Sequence, residues 1–168
     1  MIASDLPAPP LTLRPLSAAD APALQAVYAA AADYLLRASG ALPQATAELQ
    51  QAAGEEGRFL LGIYLSEEMI GLLDLRLAYP EPFDVSIGLI LLAEGQRRQG
   101  LGSWVLRILE AWLSRDTPTE AVIVAVAAQD HVAQRFLLSN GYVFTGQSTR
   151  VLMGTTRLRL LIMRKGLR

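Results

Sequence analysis

The stretch "DVSIGLILLAEGQRRQGLGSWVLRILEAWL", Asp84 to Leu113, reads as strand, loop and helix in direct succession. Its first nine residues, Asp84 to Leu92, are apolar on both faces near their end, which predicts a central strand. From Leu101 to Leu113 the pattern is helical, with Ser103, Arg107, Glu110 and Ser114 recurring at three- and four-residue steps as one wet stripe. Between them lie a basic pair, Arg97 and Arg98, and two glycines, Gly100 and Gly102. The first turn of a helix carries backbone N–H groups without partners and a partial positive charge. Glycine lets an anion approach such a backbone and tolerates positive φ. The loop is thus a candidate phosphate cradle; the alternative is an ordinary strand-to-helix turn. The dinucleotide fingerprint would need glycine where Val105 stands, and the P-loop would need a Gly-Lys-Ser/Thr run that the chain lacks. What remains is R-x-x-G-x-G, carried by Arg97, Gly100 and Gly102.

Upstream, "LTLRPL" (Leu11–Leu16) predicts a short strand, and Ser17 to Leu36 a helix capped by Ser17 or Asp20, with Leu24, Val27, Tyr28 and Ala31 at helical spacing. A second helix spans Gln44 to Ala53. "RFLLGIYL" (Arg58–Leu65) and "MIGLLDLRL" (Met69–Leu77) form a hairpin around "SEE". Downstream, "AVIVAVAA" (Ala121–Ala128) predicts a buried strand, Asp130 to Leu138 a helix, and "RLRLLIMRK" (Arg157–Lys165) a strand. This order predicts an α/β (α+β) sandwich with a mixed sheet rather than a doubly wound parallel one.

The chain has 168 residues, 52% of them hydrophobic, which predicts one domain over residues 1–168 with a flexible proline-rich lead-in over 1–10. Fifteen basic and 16 acidic residues leave a net charge of −1, which gives no general pull toward nucleic acid or an anionic membrane. The absence of cysteine excludes disulfides, thiolate zinc sites and thiol nucleophiles, and the single histidine, His131, excludes a multi-histidine metal site. No metal is expected. "MIASDLPAPP" lacks the pattern of a signal peptide, and no apolar run approaches the roughly 20 residues of a membrane span. The expected setting is cytoplasmic.

Taken together, these elements resemble the GNAT acetyltransferase superfamily, whose motif A is Q/R-x-x-G-x-G/A between a fourth strand and a third helix. The resemblance covers nearly the whole chain. "LTLRPLSAAD" is similar to the family's opening strand and helix start, and "HVAQRFLLSNGY" to its second signature, an alanine eight residues before a Gly-aromatic pair, met by Ala133, Gly141 and Tyr142. The fold implied is a mostly antiparallel sheet of six to seven strands flanked by about four helices. The function implied is transfer of acetyl from acetyl-CoA to a primary amine of a small molecule, peptide or protein by direct attack in a ternary complex, in a monomer or homodimer. The alternative is an acyl-CoA sensor or interaction module without turnover.

By the same resemblance, Arg97, Arg98, Gln99, Gly100, Leu101, Gly102 and Ser103 would surround the pyrophosphate, its oxygens held by the N–H groups from Gln99 to Ser103. Ile90, Leu91 and Leu92 would pair their backbone with pantetheine. Phe136 would pack beside the pantetheine or adenine, or else in the core. Asp130 stands where an asparagine is common, as a cofactor contact or as a helix N-cap. Many members carry a tyrosine four residues after the helix alanine, as acid toward the CoA thiolate; here that position is Leu137, which donates no proton. Water, Ser139 or Tyr142 remain for that task, and Tyr142 is equally a core aromatic. Asp84 is the candidate base, at the place of a glutamate in histone-acetyltransferase relatives. For the acceptor the residues to watch are Tyr34, Arg37 and Asp74. The acceptor itself is not named by the sequence.

Overall fold

The computed structural model describes residues 7–168, so the lead-in expected over 1–10 lies mostly outside them. In chain order the elements are β1 (Leu11–Pro15), α1 (Ala21–Ala30), α2 (Ala32–Ser39), α3 (Ala45–Ala53), β2 (Arg58–Leu65), β3 (Glu68–Leu77), β4 (Asp84–Leu92), α4 (Leu101–Asp116), β5 (Ala121–Ala127), α5 (His131–Ser139), β6 (Val143–Met153) and β7 (Thr156–Gly166). Seven strands form one sheet in the order β1-β2-β3-β4-β5-β7-β6. Every neighbouring pair is antiparallel except β4 with β5.

The sheet separates two cores. On one face α4 and α5 bury Val105, Leu106, Leu109, Leu113 and Leu137 against Ile63, Leu73, Leu75, Val85, Ile87, Val122 and Val124. On the other, α1, α2 and α3 bury Leu24, Val27, Tyr28, Leu35 and Leu49 against Leu60, Leu72 and Leu91. The alternation in β3 divides the labour: Leu73 and Leu75 serve one core, Leu72 the other, and Asp74 shares Leu72's face.

Three local readings change. The helix expected from Ser17 to Leu36 is broken: Ser17 and Asp20 close a capping box on a short 3₁₀ turn, and α1 gives way to α2 at Ala31, whose φ of −114° and ψ of 19° are not helical. The break lets Ala31 stay fully buried while α2 turns toward the glycine loop. The stripe on α4 is wet only in part, because Glu110 is 8% exposed and paired to Lys165 at 2.6 Å. The eleven-residue β6, which hydrophobic patterning does not single out, forms the sheet's far edge and is exposed along almost its whole length.

Candidate active site

β4 and β5 pair only from Asp84↔Ala121 to Ile87↔Val124. Beyond that, Leu89–Leu92 stay on β3 and Ala125–Ala127 on β7, so the two strands splay apart. A bulge marks the parting, since Asp74 of β3 opposes Leu89 while Leu75 opposes Ile87, leaving Gly88 as the extra residue. Both strands therefore offer unpaired backbone groups across a V-shaped opening, the ladder that an extended chain of amides would need.

At the mouth of the opening the chain makes a single 3₁₀ turn, Glu94–Gln96, and then passes through Arg98 and Gly100 with φ of 62° and 77°. Among the described residues the six successive N–H groups from Arg98 to Ser103 find no protein acceptor; the next bond is Trp104 N–H to the Gly100 carbonyl at 3.3 Å. They form a concave run of donors at the N-terminus of a sixteen-residue helix, suited to phosphate oxygens.

The glycines serve this run differently. A Cβ on Gly100 would meet nothing within 4 Å, so its role is conformational. A Cβ on Gly102 would lie 3.1 Å from Cε2 and Cζ of Phe136, so Gly102 makes room for that ring against the first turn of α4. Ser103 Oγ accepts from Asn140 Nδ2 at 3.1 Å, which leaves the hydroxyl proton free to point elsewhere. Arg98 and Gln99 are exposed, and Gln99 Nε2 donates to the Gly95 carbonyl at 3.0 Å.

Arg97 is not a free cation at the rim. Its Nη1 and Nη2 donate to Asp33 on α2 at 2.8 and 3.2 Å, and its Nε donates to the Leu92 carbonyl at 3.0 Å. The bonds from Arg97 hold the Asp33 carboxyl below its ordinary value. Arg97 thus clasps the glycine loop to α2 and to the end of β4. Arg37, one turn on, reaches the same carboxylate at 3.7 Å. Tyr34, half-buried beside this clasp, has its hydroxyl pushed up by burial and by the charge of Asp130, against the pull of Arg97. Asp130 itself caps α5, accepting from Ala133 N–H at 3.0 Å.

Two sequence expectations meet a different geometry. Asp84 opens β4 at its paired end, opposite Ala121, about 13 Å of strand away from Gly88. Tyr142 is fully buried; its hydroxyl donates to Glu110 at 3.5 Å and is pushed far up by burial and by that carboxylate. Leu137 lies in the core as well. Neither side chain at the second signature faces the opening.

Asp74 takes the place beside it. Its carboxylate lies 3.7–3.8 Å from where a Cβ on Gly88 would stand. Arg58 of β2 holds it with two bonds, Nε at 3.1 Å and Nη2 at 2.8 Å. Arg58 also bonds Glu55 and Glu48, and Glu55 in turn bonds Arg76. A cavity of about 170 Å³ opens here between Arg58, Asp74, Arg76, Tyr79, Ser86 and Gly88. Sequence patterning does not single out Arg58 or Gly88, although a charged residue in each strand of an apolar hairpin is the signal that pairs Arg58 with Asp74.

A family model described as an acetyltransferase (GNAT) domain matches residues 10–143. Among solved structures the chain is similar to an acetyltransferase from Thermus thermophilus, with 25% identity over 93% of this chain and 96% of that one, at a TM-score of 0.77. It shares its fold with the ribosomal L7/L12 alpha-N-protein acetyltransferase RimL in complex with coenzyme A, at 17% identity, 93% of both chains and a TM-score of 0.79. The ribosomal-protein-S18-alanine N-acetyltransferase from Escherichia coli shares it too, at 17% identity, 94% of both chains and a TM-score of 0.70. A comparison with curated proteins gives no match.

Proposed function

Because the chain belongs to the GNAT acetyltransferase family, we propose that it transfers an acetyl group from acetyl-CoA to a primary amine of a small molecule or peptide, by direct attack in a ternary complex. The observation that carries this reading is the run of six unpartnered N–H groups, Arg98 to Ser103, at the mouth of the β4–β5 opening. Acetyl-CoA supplies the activated acyl group. The donors of Gln99 to Ser103 hold its pyrophosphate, with Arg98 adding charge from the solvent side. The backbone of Ile90 to Leu92 aligns the pantetheine arm along the edge turned away from β3, where Arg97 already takes the Leu92 carbonyl, and Phe136 closes the contact between α4 and α5. Arg97 acts through structure, keeping the loop registered on α2.

On the acceptor side, Asp74 replaces Asp84 as the carboxylate of the site. It borders the cavity at the bulge, where it holds the incoming ammonium and passes its proton to solvent before attack. Tyr34 and Arg37 shape the side of the site that α2 presents, beside the Arg97–Asp33 clasp rather than at the bulge cavity. The reaction runs in the cytoplasm, which supplies acyl-CoA.

The experiment has two stages. Acetyl-CoA at 100 times its Kd is expected to stabilise the protein by about 2.7 kcal/mol, which raises Tm by several degrees for a domain of this size. Incubation with a panel of amines, peptide N-termini included, is expected to release free CoA. Folded protein with neither shift nor release would overturn the proposal. A shift without release favours the second reading, an acyl-CoA sensor, for which the observation is Leu137 in the core at the place of the family's tyrosine.

A further inference from the structure

All 16 acidic residues of the chain lie at or before Asp130, accompanied by eight basic ones; the residues after it carry seven basic side chains and no acid. The near-neutral total conceals this division. Most of the basic set falls on the β6–β7 hairpin. Arg150 stands directly opposite Arg159 in the ladder, and Leu152 opposite Arg157. Alternation puts Arg150, Arg157 and Arg159 on one face of the hairpin, with Leu152 among them. Like charges placed directly across a ladder are destabilising. Among the described residues none of the three has a carboxylate within 4.0 Å, although Lys165, further along β7, is paired to Glu110. All three are exposed. The other face of the same segment presents Val151, Met153 and Leu158. β6 is also the sheet's edge, with its outer row of N–H and C=O groups unpaired by any strand.

We propose that β6 is a docking edge for an extended polypeptide whose alternate residues are acidic, added as a further antiparallel strand. The chemistry is set by the two faces. A strand laid on β6 directs every second side chain toward the arginines and the others toward Val151, Met153 and Leu158, so it is recognised when acids alternate with apolar residues. Backbone pairing supplies the length of contact, and the arginines supply the register. A nucleic acid fits less well, since no aromatic platform lies among the three arginines on which bases could stack. A second copy joined β6 to β6 about a two-fold axis normal to the sheet would extend the arginine face with a second set of like charges. The hairpin that carries this edge reaches the candidate site through β7, where the Arg159 carbonyl accepts from Ala128 N–H at 2.9 Å, at the end of β5 that borders the opening. On the acetyltransferase reading, the docked chain is the acceptor or its neighbour; the docking itself does not depend on that reading.

The test uses the full chain and a fluorescent peptide of alternating glutamate and valine, about twelve residues long to span β6. Its anisotropy is expected to report saturable binding that weakens with added salt. A lysine–valine peptide of the same length should not bind. Arg150→Glu with Arg159→Glu should reduce affinity at least about tenfold, with the thermal shift by acetyl-CoA unchanged. If that variant misfolds, Arg150→Gln with Arg159→Gln carries the same test. Equal affinity for both peptides overturns the proposal, as does tighter binding of a single-stranded RNA of matched charge. So does a dimer that Arg150→Glu dissociates. Because the assay contains no acetyl-CoA, its failure leaves the transfer reaction standing, and failure of transfer leaves the docking measurable.

Discussion

At Gly100 the backbone holds a φ of 77° in open space, whereas at Gly102 the missing side chain is filled by the ring of Phe136 at 3.1 Å. Alanine at the first position is therefore expected to lower stability by about 1 kcal/mol through left-handed strain, with acetyl-CoA affinity little changed. Valine at the second is expected to push Phe136 off α4, to cost roughly 1–3 kcal/mol by overpacking, and to weaken cofactor binding. Denaturant unfolding alongside calorimetric titration separates the two. The need for small residues at both positions is legible in R-x-x-G-x-G; the separate reasons are not, because Phe136 arrives from a helix more than thirty residues later. Arg97 is legible as a cation but not as a clasp, since nothing local announces Asp33. Asp33 has a folded-state value below its unfolded one, so the clasp stabilises the fold above about pH 4, and that contribution is lost as pH falls through the folded value. Asp33→Asn is expected to flatten the acid limb of a stability-against-pH curve.

The hairpin of β2 and β3 shows how an element escapes the sequence. Its two strands and their turn are plain, yet a bulge shifts the register between Tyr64↔Met69 and Ile63↔Gly71. One residue of slip exchanges the faces. Beyond the bulge β3 buries leucines on both faces, Leu72 on one and Leu73 and Leu75 on the other, so hydrophobic periodicity does not tell which core Asp74 faces. β6 goes unmarked for another reason: an edge strand exposed on both faces has no burial to impose alternation. α4 carries its period clearly, but Glu110 reads as solvated because its partners lie far along the chain. Lys165 Nζ meets its two oxygens at 2.6 and 3.3 Å and the Asn140 carbonyl at 2.9 Å, tying β7 to the helix that carries the glycine loop. Lys165→Met is expected to destabilise by about 3 kcal/mol, because it leaves a buried carboxylate unpaired, and the added change Glu110→Leu should recover most of that loss. Chemical denaturation of the three variants measures both.

Across the whole chain, composition indicates a balanced protein, and the fold resolves that balance into an acidic body and a basic terminal hairpin. The body's second core also sets an alkaline limit. Burial, with the charges of Glu48 and Asp74, pushes the Tyr28 hydroxyl from 10.0 up to about 12. The folded state therefore keeps a proton that the unfolded chain releases, and stability is expected to fall by about 1.4 kcal/mol per pH unit between these values. Tyr28→Phe should remove that slope, as read from unfolding midpoints at stepped pH. The order of strands and helices is legible because each buried element repeats its own period; the carboxylate beside the opening is not, because strand pairing chooses between Asp74 and Asp84. The cradle at the mouth of the opening is the centre of the proposed function, and amide-resolved NMR during titration with acetyl-CoA tests it most directly. The amides of Gln99 to Ser103 are expected to shift together and saturate with the ligand, while those of the β6–β7 hairpin tip stay fixed. Saturable binding that leaves those five amides unmoved would contradict the phosphate cradle.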